Sequence, residues 1–343
     1  MSEIDLSIFI VNWNGGELLS ECVASVYATV QKHSFEVFVV DNASSDRSAH
    51  ELKARPNLHL IFNDYNAGFA AANNQAFARS NGRCVLMLNP DTTSLPGALD
   101  HLIDYLDTHK DVAAVGPRTV FPDGQLQPSC SHYPTLFNQS MEALGINRVL
   151  PNSKVFARPT MTYWKHDAER QVDIISGACL MIRRDALSDV GFLDERFFVY
   201  YEEVDLCLRL TQAGHLCIFV PTAQLMHEAN HSTKKNLDVR IVTRYRSLLT
   251  FYDKHYPRWH GGVLRGLLSF EMLWRMALLH VAGLGTSRDG QLEQNRKRET
   301  LDRCKQVIKM CLSSANKTGA KASHIKPTQT SAAQAGSISA SRK

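Results

Sequence analysis

Residues 197–210 read FFVYYEEVDLCLRL, so Glu202, Glu203 and Asp205 place three carboxylates within four residues behind an aromatic run. Like charges this close repel, and a solvated turn would not bring Phe197, Phe198, Tyr200 and Tyr201 against them. A carboxylate among aromatic side chains has the environment of a general base. A second constellation is Asn89-Pro90-Asp91. A carboxylate in a loop with an amide two residues before it suits a hard divalent cation, Mg²⁺ or Mn²⁺, that also takes diphosphate oxygens. Taken alone, Asp91 also reads as a cap for the helix entered at Pro96. His227 and His231 stand four apart in MHEANHST, after the apolar run LCIFVP. A lone histidine is usually structural, whereas one placed after a strand and near a second is a candidate for a metal or phosphate contact.

The elements that must position these residues alternate. LSIFIVNWN (6–14), FEVFVVDNASSD (35–46), LHLIFND (58–64) and CVLMLNPDT (84–92) read as buried strands with polar ends. Between them, 15–30, 66–80 and 95–109 have helical periodicity, and 112–117 is a further short strand. Near-continuous apolar strands alternating with helices predict an α/β chain with a mostly parallel sheet covered on both faces. Residues 118–170 read as long loops, 172–187 as strand then helix, 204–215 as a helix stopped by Gly214, and 216–221 as a strand.

Ligands of such sheets bind beyond the carboxyl ends of the strands. The polar residues there are Asn12 and Asn14, Asp41 and Asn42, Asn63, Asn66 and Gly68, then Asn89 and Asp91. Their Asn/Asp bias toward one edge predicts a binding cleft. No G-x-x-x-x-G-K-[ST] occurs, and no G-x-G-x-x-G follows the first strand, which excludes a P-loop and disfavours a dinucleotide dehydrogenase.

Composition sets the frame. The 343 residues are 44% hydrophobic and 21% charged, enough for a sizeable core. The net charge of +4 is uneven: from Thr286 onward there are twelve Lys/Arg against four Asp/Glu, leaving the preceding body mildly acidic. The basic segment suits an anionic membrane surface, or is simply solvated. After about residue 314 the Ser/Ala/Lys/Gln-rich composition predicts disorder. Eight cysteines without a C-x-x-C pair read as buried, reduced thiols of a cytoplasmic protein. The acidic N-terminus is unlike a signal peptide, and no run reaches the roughly 18 apolar residues of a spanning helix. Residues 237–256 form a basic, aromatic-bearing helix. Residues 262–284 form an amphipathic one whose face Val263, Leu267, Phe270, Trp274, Leu278 and Val281 carries no charge. That face either packs on the body or lies on the cytoplasmic surface of the inner membrane. With no nucleic-acid motif, nucleic acid is not expected as a partner.

The ordered set IVNWNG, VVDNASSD, NAGFAAANNQAF, LNPDT, SGACLMIRRDAL, GFLDERFFVYYEEVDLCLRLTQAGH and HEANHST, spanning about residues 6–233, resembles the family 2 glycosyltransferases, inverting enzymes of the GT-A fold. LNPD followed by YYEEVDLCLR is most similar to the branch that uses dTDP-L-rhamnose for surface polysaccharide or lipid-linked glycan assembly. The resemblance implies a Rossmann-like sheet over 1–235, a helical extension over 236–285 and a basic tail over 286–343. It implies a nucleotide-sugar donor, dTDP- or UDP-linked, and a glycan or lipid-linked acceptor. By position, Asn12, Asp41, Asn66, Gly68 and Asn73 would line the nucleotide pocket, and Gly177 and Ala178 would border the donor sugar. Asn89 and Asp91 stand where the family has its metal-binding D-x-D, here N-x-D, and His227 would complete the metal or diphosphate site. Glu203 would be the base, a methylene longer than the usual Asp, with Glu202 its neighbour. Galactofuranosyl or hexosyl transfer from a UDP-sugar is the alternative. A sugar-nucleotide pyrophosphorylase is disfavoured because NWNGGELL has no basic residue, and a non-catalytic module because base and metal residues occur together.

Overall fold

The computed structural model describes residues 4–158, 161–228, 237–282 and 291–313. The first half runs β1 (Leu6–Asn12), α1 (Glu17–Thr29), β2 (Phe35–Asp41), β3 (Leu58–Phe62), α2 (Phe69–Phe77), β4 (Cys84–Leu88), β5 (Thr92–Ser94), α3 (Ala98–Thr108) and β6 (Val112–Val120). Next come β7 (Leu126–Gln127), β8 (Cys130–Ser131), α4 (Leu136–Ala143), α5 (Ile146–Val149), β9 (Arg170–Gln171) and β10 (Ile174–Ile175). The chain continues through β11 (Cys179–Arg183), α6 (Leu187–Val190), α7 (Glu202–Gln212), β12 (Leu216–His227), α8 (Leu237–His255), α9 (Arg258–Ala282) and α10 (Gln291–Leu312).

The main sheet has the order β3-β2-β1-β4-β11-β6-β12-β5. The pairs β3/β2, β2/β1 and β1/β4 are parallel, as is β6/β12. β11 runs antiparallel between β4 and β6, so the sheet is mixed and not uniformly parallel. Every residue of β1 is buried, because helices cover both faces. Leu6, Ile8 and Ile10 pack with Leu19, Cys22 and Val26 of α1 and with α3 on one side. Phe9 and Val11 pack toward α2 and α7 on the other. Ala70, Ala72 and Ala76 are fully buried and let α2 lie close against the sheet. All eight cysteines are buried and unbonded.

Three elements depart from the sequence reading. The strand expected to end at Pro221 continues to His227, with a register break between Val220 and Gln224. Proline has no N–H for the ladder, and the chain accommodates it in the irregularity. The 118–170 segment carries short strands and helices rather than loops alone. Residues 291–312, counted with the tail, form α10, whose Cys304, Val307 and Cys311 are buried.

A third core joins the body to the C-terminal helices. Phe197, Tyr201 and Val204 pack with Leu248, Phe251 and Tyr252 of α8, and with Leu264, Leu268 and Met272 of α9. The apolar face of α9 singled out in the sequence is not the packed one. Val263, Phe270, Trp274, Leu278 and Val281 are each at least half exposed. His231 and the segment after 313 lie outside the described residues.

Candidate active site

The strand ends build one rim. Asn12, fully buried, donates its amide to Asp41 Oδ1 (2.7 Å), Ser48 Oγ (2.9 Å) and Ser44 Oγ (3.1 Å), and its Oδ1 accepts from the Gly15 N–H. Its polar atoms are spent within the protein, which puts Asn12 behind Asp41 as the residue that orients it. Asp41 Oδ2 in turn accepts from the Ser44 N–H at 3.0 Å. Asn14 and Ala43 in the adjoining loops hold left-handed backbone, with φ of 55° and 57°.

Gly68 begins α2 with φ of +91°. A Cβ there would stand 2.5 Å from the Phe198 carbonyl oxygen. Asn66 Oδ1 accepts from the Gly68 N–H, Asn42 donates to the Gly68 carbonyl (3.1 Å), and the Phe69 N–H donates to Phe198 O (2.6 Å). The loop after β3 is therefore bolted to the aromatic segment before the carboxylates. Asn73 is fully buried one turn into α2. Its amide donates to Phe69 O, and its Oδ1 has no protein partner among the described residues.

Between these parts lie Gly177 and Ala178. The Asn89 N–H donates to Ala178 O at 2.9 Å, and a Cβ on Gly177 would lie 3.7 Å from Glu203 Cβ. The Gly177–Ala178 pair thus touches Asn89 on one side and Glu203 on the other, residues 114 positions apart in sequence.

The corner after β4 holds the second pair. β12 pairs antiparallel with β5, setting His227 opposite Thr92 and hence beside Asp91. His227 Nε2 lies 3.1 Å from Asp91 Oδ1, and Nδ1 lies 2.9 Å from Gln127 Oε1. With Nδ1–H donating to Gln127, the Nε2 lone pair faces a carboxylate oxygen. The Nε2–Oδ1 pair lies within hydrogen-bond reach, its donor and acceptor set by the ring's tautomer, and a carbonyl behind the distal ring nitrogen is the usual support of a metal-binding histidine. No group of three His, Cys, Asp or Glu side chains is arranged to hold a metal ion among the described residues. A cation here would draw its remaining ligands from donor phosphates and water, as Mg²⁺ and Mn²⁺ sites commonly do.

The three carboxylates of the opening stretch separate in the fold. Tyr200 and Tyr201 both adopt left-handed backbone, φ 68° and 70°, a conformation costing about 1–2 kcal/mol per residue for an L-amino acid. The turn delivers Glu202 and Glu203 to the first turn of α7. One oxygen of each is buried without a partner among the described residues. Burial raises both carboxyls above their ordinary range, and for Glu202 the neighbouring Glu203 adds to the rise. Backbone N–H groups at the helix start and the charge of Arg244 work the other way on Glu203. Asp205 is fully buried but paired, with Arg209 Nε at 2.8 Å and with Lys254 Nζ and His255 Nε2 at 2.6 Å. Burial opposes its ionisation, yet the bonds from His255, Lys254 and Arg209 bring it below the usual carboxylate range.

Two arginines the motif reading passed over sit on the same segment. Arg240 Nε donates to the Tyr200 hydroxyl at 2.6 Å, and Arg244, one turn on, reaches the Tyr201 hydroxyl and Glu142. The basic, aromatic composition of α8 was their only signal in the sequence.

A mixed sheet with a ligand rim at its strand ends, a buried carboxylate at a helix start and an Asp–His corner define a nucleotide-sugar transferase architecture. The family model "Glycosyl transferase family 2" matches residues 7–191, more than half of the chain. The protein belongs to glycosyltransferase family 2. It is 29% identical over 304 residues to an N-acetylglucosaminyl-diphospho-decaprenol L-rhamnosyltransferase of Mycobacterium tuberculosis, covering 84% of this chain and 97% of that one. It is 24% identical over 264 residues to the rhamnosyltransferase WbbL of Escherichia coli K12, covering 68% and 89%. Among solved structures, GalNAc-T7 with UDP, GalNAc and Mn²⁺ superposes with a TM-score of 0.50 at 15% identity, over 73% of this chain and 50% of that one. That likeness bears on the fold and assigns the GT-A architecture.

Proposed function

We propose that this glycosyltransferase moves L-rhamnose from dTDP-L-rhamnose, with inversion, to a hydroxyl of a sugar carried on a lipid diphosphate. The observation carrying the reading is the meeting of Glu203 with Gly177, and through Ala178 with the Asn89–Asp91 corner. That meeting supports a reading with one carboxylate beside the floor of a sugar pocket and another where a diphosphate would leave. The two rhamnosyltransferase relatives, each covered over nearly its whole length, support the donor and acceptor class.

In this reading Glu203 takes the proton from the acceptor hydroxyl as its oxygen attacks the anomeric carbon, and the bond to the nucleoside diphosphate breaks on the opposite face. Asp41, oriented by Asn12, holds the nucleoside, with Asn66, Gly68 and Asn73 along the same wall. Gly177 and Ala178 border the transferred sugar, and Glu202 tunes Glu203. Asp91 and His227 would hold a divalent cation, Mn²⁺ or Mg²⁺, which when bound neutralises charge on the departing diphosphate. Asn89 contributes no charge, so the corner would hold a cation with one carboxylate where D-x-D offers two.

The exposed apolar face of α9 supports a peripheral place on the cytoplasmic leaflet, where a lipid-linked acceptor would be met. No helix among the described residues is long and apolar enough to cross a membrane. The test of the donor is a thermal-shift and transfer screen of dTDP- and UDP-sugars with Mn²⁺ or Mg²⁺. Stabilisation and turnover with dTDP-L-rhamnose support the proposal. Turnover with a UDP-hexose or UDP-galactofuranose alone would replace the donor and leave the transferase class intact.

A further inference from the structure

α8 presents Arg240, Arg244, Ser247 and Phe251 along one face, spaced as helical neighbours. All four address the segment that delivers the carboxylates. Ser247 Oγ donates to the Val199 carbonyl at 2.9 Å, and Phe251 packs on Tyr201. Among the described residues Arg240 donates through its Nε, to Tyr200. Its Nη1 is buried with no partner among the described residues, which is costly for a charged donor. Arg244 is anchored at Glu142 by a long 3.3 Å contact and leaves 58% of its side chain exposed. Two guanidinium groups therefore stand one helical turn apart, with donors to spare, and the nearer charge is felt by Glu203.

Bracing two strained tyrosines needs only a neutral donor, and the charge of Arg244 also favours the ionised form of Glu203. A fork of unfilled guanidinium N–H groups matches phosphate oxygens. The donor's diphosphate belongs to the Asp91–His227 corner, on the Gly177 side of Glu203. The arginines reach the segment just before the glutamates, Arg240 at the Tyr200 hydroxyl, and the charge of Arg244 acts on Glu203. In an acceptor whose first sugar is joined directly to a lipid diphosphate, that diphosphate sits one pyranose ring from the hydroxyl the base addresses.

Resting on the acceptor class proposed above, we propose that Arg240 and Arg244 form an anion subsite that grips the diphosphate of the lipid-linked acceptor and sets the acceptor sugar against Glu203. The subsite makes no bond and breaks none. It selects diphosphate-linked sugars over neutral glycosides, and it positions the attacking hydroxyl.

The test uses the full chain and two short-chain acceptors bearing the same N-acetylglucosamine, one a prenyl diphosphate and the other the neutral prenyl glycoside. Arg240→Gln and Arg244→Gln should each raise KM for the diphosphate acceptor by about tenfold or more, with kcat little changed and KM for the neutral acceptor unmoved. Arg240→Lys should recover part of the loss, since charge returns without the fork. A wild-type enzyme that uses both acceptors equally well overturns the subsite while leaving the transferase reading in place. Equal losses on both acceptors assign the arginines to bracing the tyrosines and also overturn it. Turnover of neither acceptor removes the acceptor class and the subsite together. If Arg240→Gln does not fold, Arg244→Gln carries the comparison, because that side chain is mostly exposed. Vesicles of phosphatidylglycerol supply the other source of phosphate. If they compete for the site as well as the diphosphate acceptor does, it is a headgroup contact and the proposal falls.

Discussion

At the residue scale, environment separates side chains that the sequence presents as equals. Glu203 lies against Gly177 with a carboxyl raised by burial. A base must be ionised, so activity should fall as pH drops through this raised pKa, and the acid limb of the kcat profile should sit above the ordinary carboxylate value of 4.5. Glu203→Gln should lower turnover by about 10²–10⁴-fold while donor-induced thermal stabilisation persists, and near-normal turnover would take the base role from Glu203. Glu202 makes a different prediction. Its folded pKa lies above the unfolded one, so the folded state favours the proton, and stability is lost as pH rises from about 4.5 through the folded value. Glu202→Gln should therefore stabilise the protein at neutral pH, and the gain should vanish below pH 4.5 in pH-resolved thermal melts. At the other corner, Gln127 fixes the ring of His227. Gln127→Ala should weaken Mn²⁺ affinity about tenfold or more, read by calorimetric titration as well as by rate.

At the element scale, the N-terminus of α7 is held by α8. Asp205 collects Arg209 from its own helix and Lys254 and His255 from α8, with no exposed surface. Its removal takes the shared carboxylate from all three, although Lys254 keeps Asp194 and Arg209 keeps the carbonyls of Val190, Gly191 and Phe192, and Asp205→Ala should cost about 3–5 kcal/mol in denaturant unfolding. The pKa of Asp205 is lowered, so its contribution is present above the unfolded value of 3.8 and disappears as pH falls below it. The wild-type advantage over Asp205→Asn should thus shrink in acid. The i,i+4 partnership of Asp205 and Arg209 was readable from spacing alone. The partners from α8 were not, because they come from 49 and 50 residues further along the chain.

At the scale of the whole molecule, the C-terminal helices complete the transferase body and expose an apolar stripe. On α9 the face bearing Leu264, Leu268 and Met272 is buried, and the opposite face bearing Trp259, Phe270 and Trp274 is exposed. Between residues 258 and 282 the exposed stripe carries no Lys, Arg, Asp or Glu, and its two tryptophans suit a membrane interface. The doubled variant Phe270→Glu, Trp274→Glu should lose binding to anionic vesicles in flotation while keeping turnover on a soluble acceptor. Retained flotation would reassign the stripe. Shortening the chain at 313 is the cleaner way to remove basic charge, because a cut at 286 would also take away the buried face of α10.

Much of this protein is legible without coordinates. The buried strands, the polar strand ends, the N-x-D corner and the paired glutamates are local patterns, fixed by side-chain period and by what a strand end can hold, and the ordered motifs carry the family. What required the tertiary structure is who meets whom. His227 joins Asp91 only because β12 runs on past Pro221 to pair with β5. Asn12 retreats behind Asp41 because β1 and β2 align in register. The apolar face of α9 turns outward because the other face of the same helix, bearing Leu264, Leu268 and Met272, meets α8 and α10. Period decides which residues share a face, and only packing between distant segments decides which face is covered and which charge finds a partner.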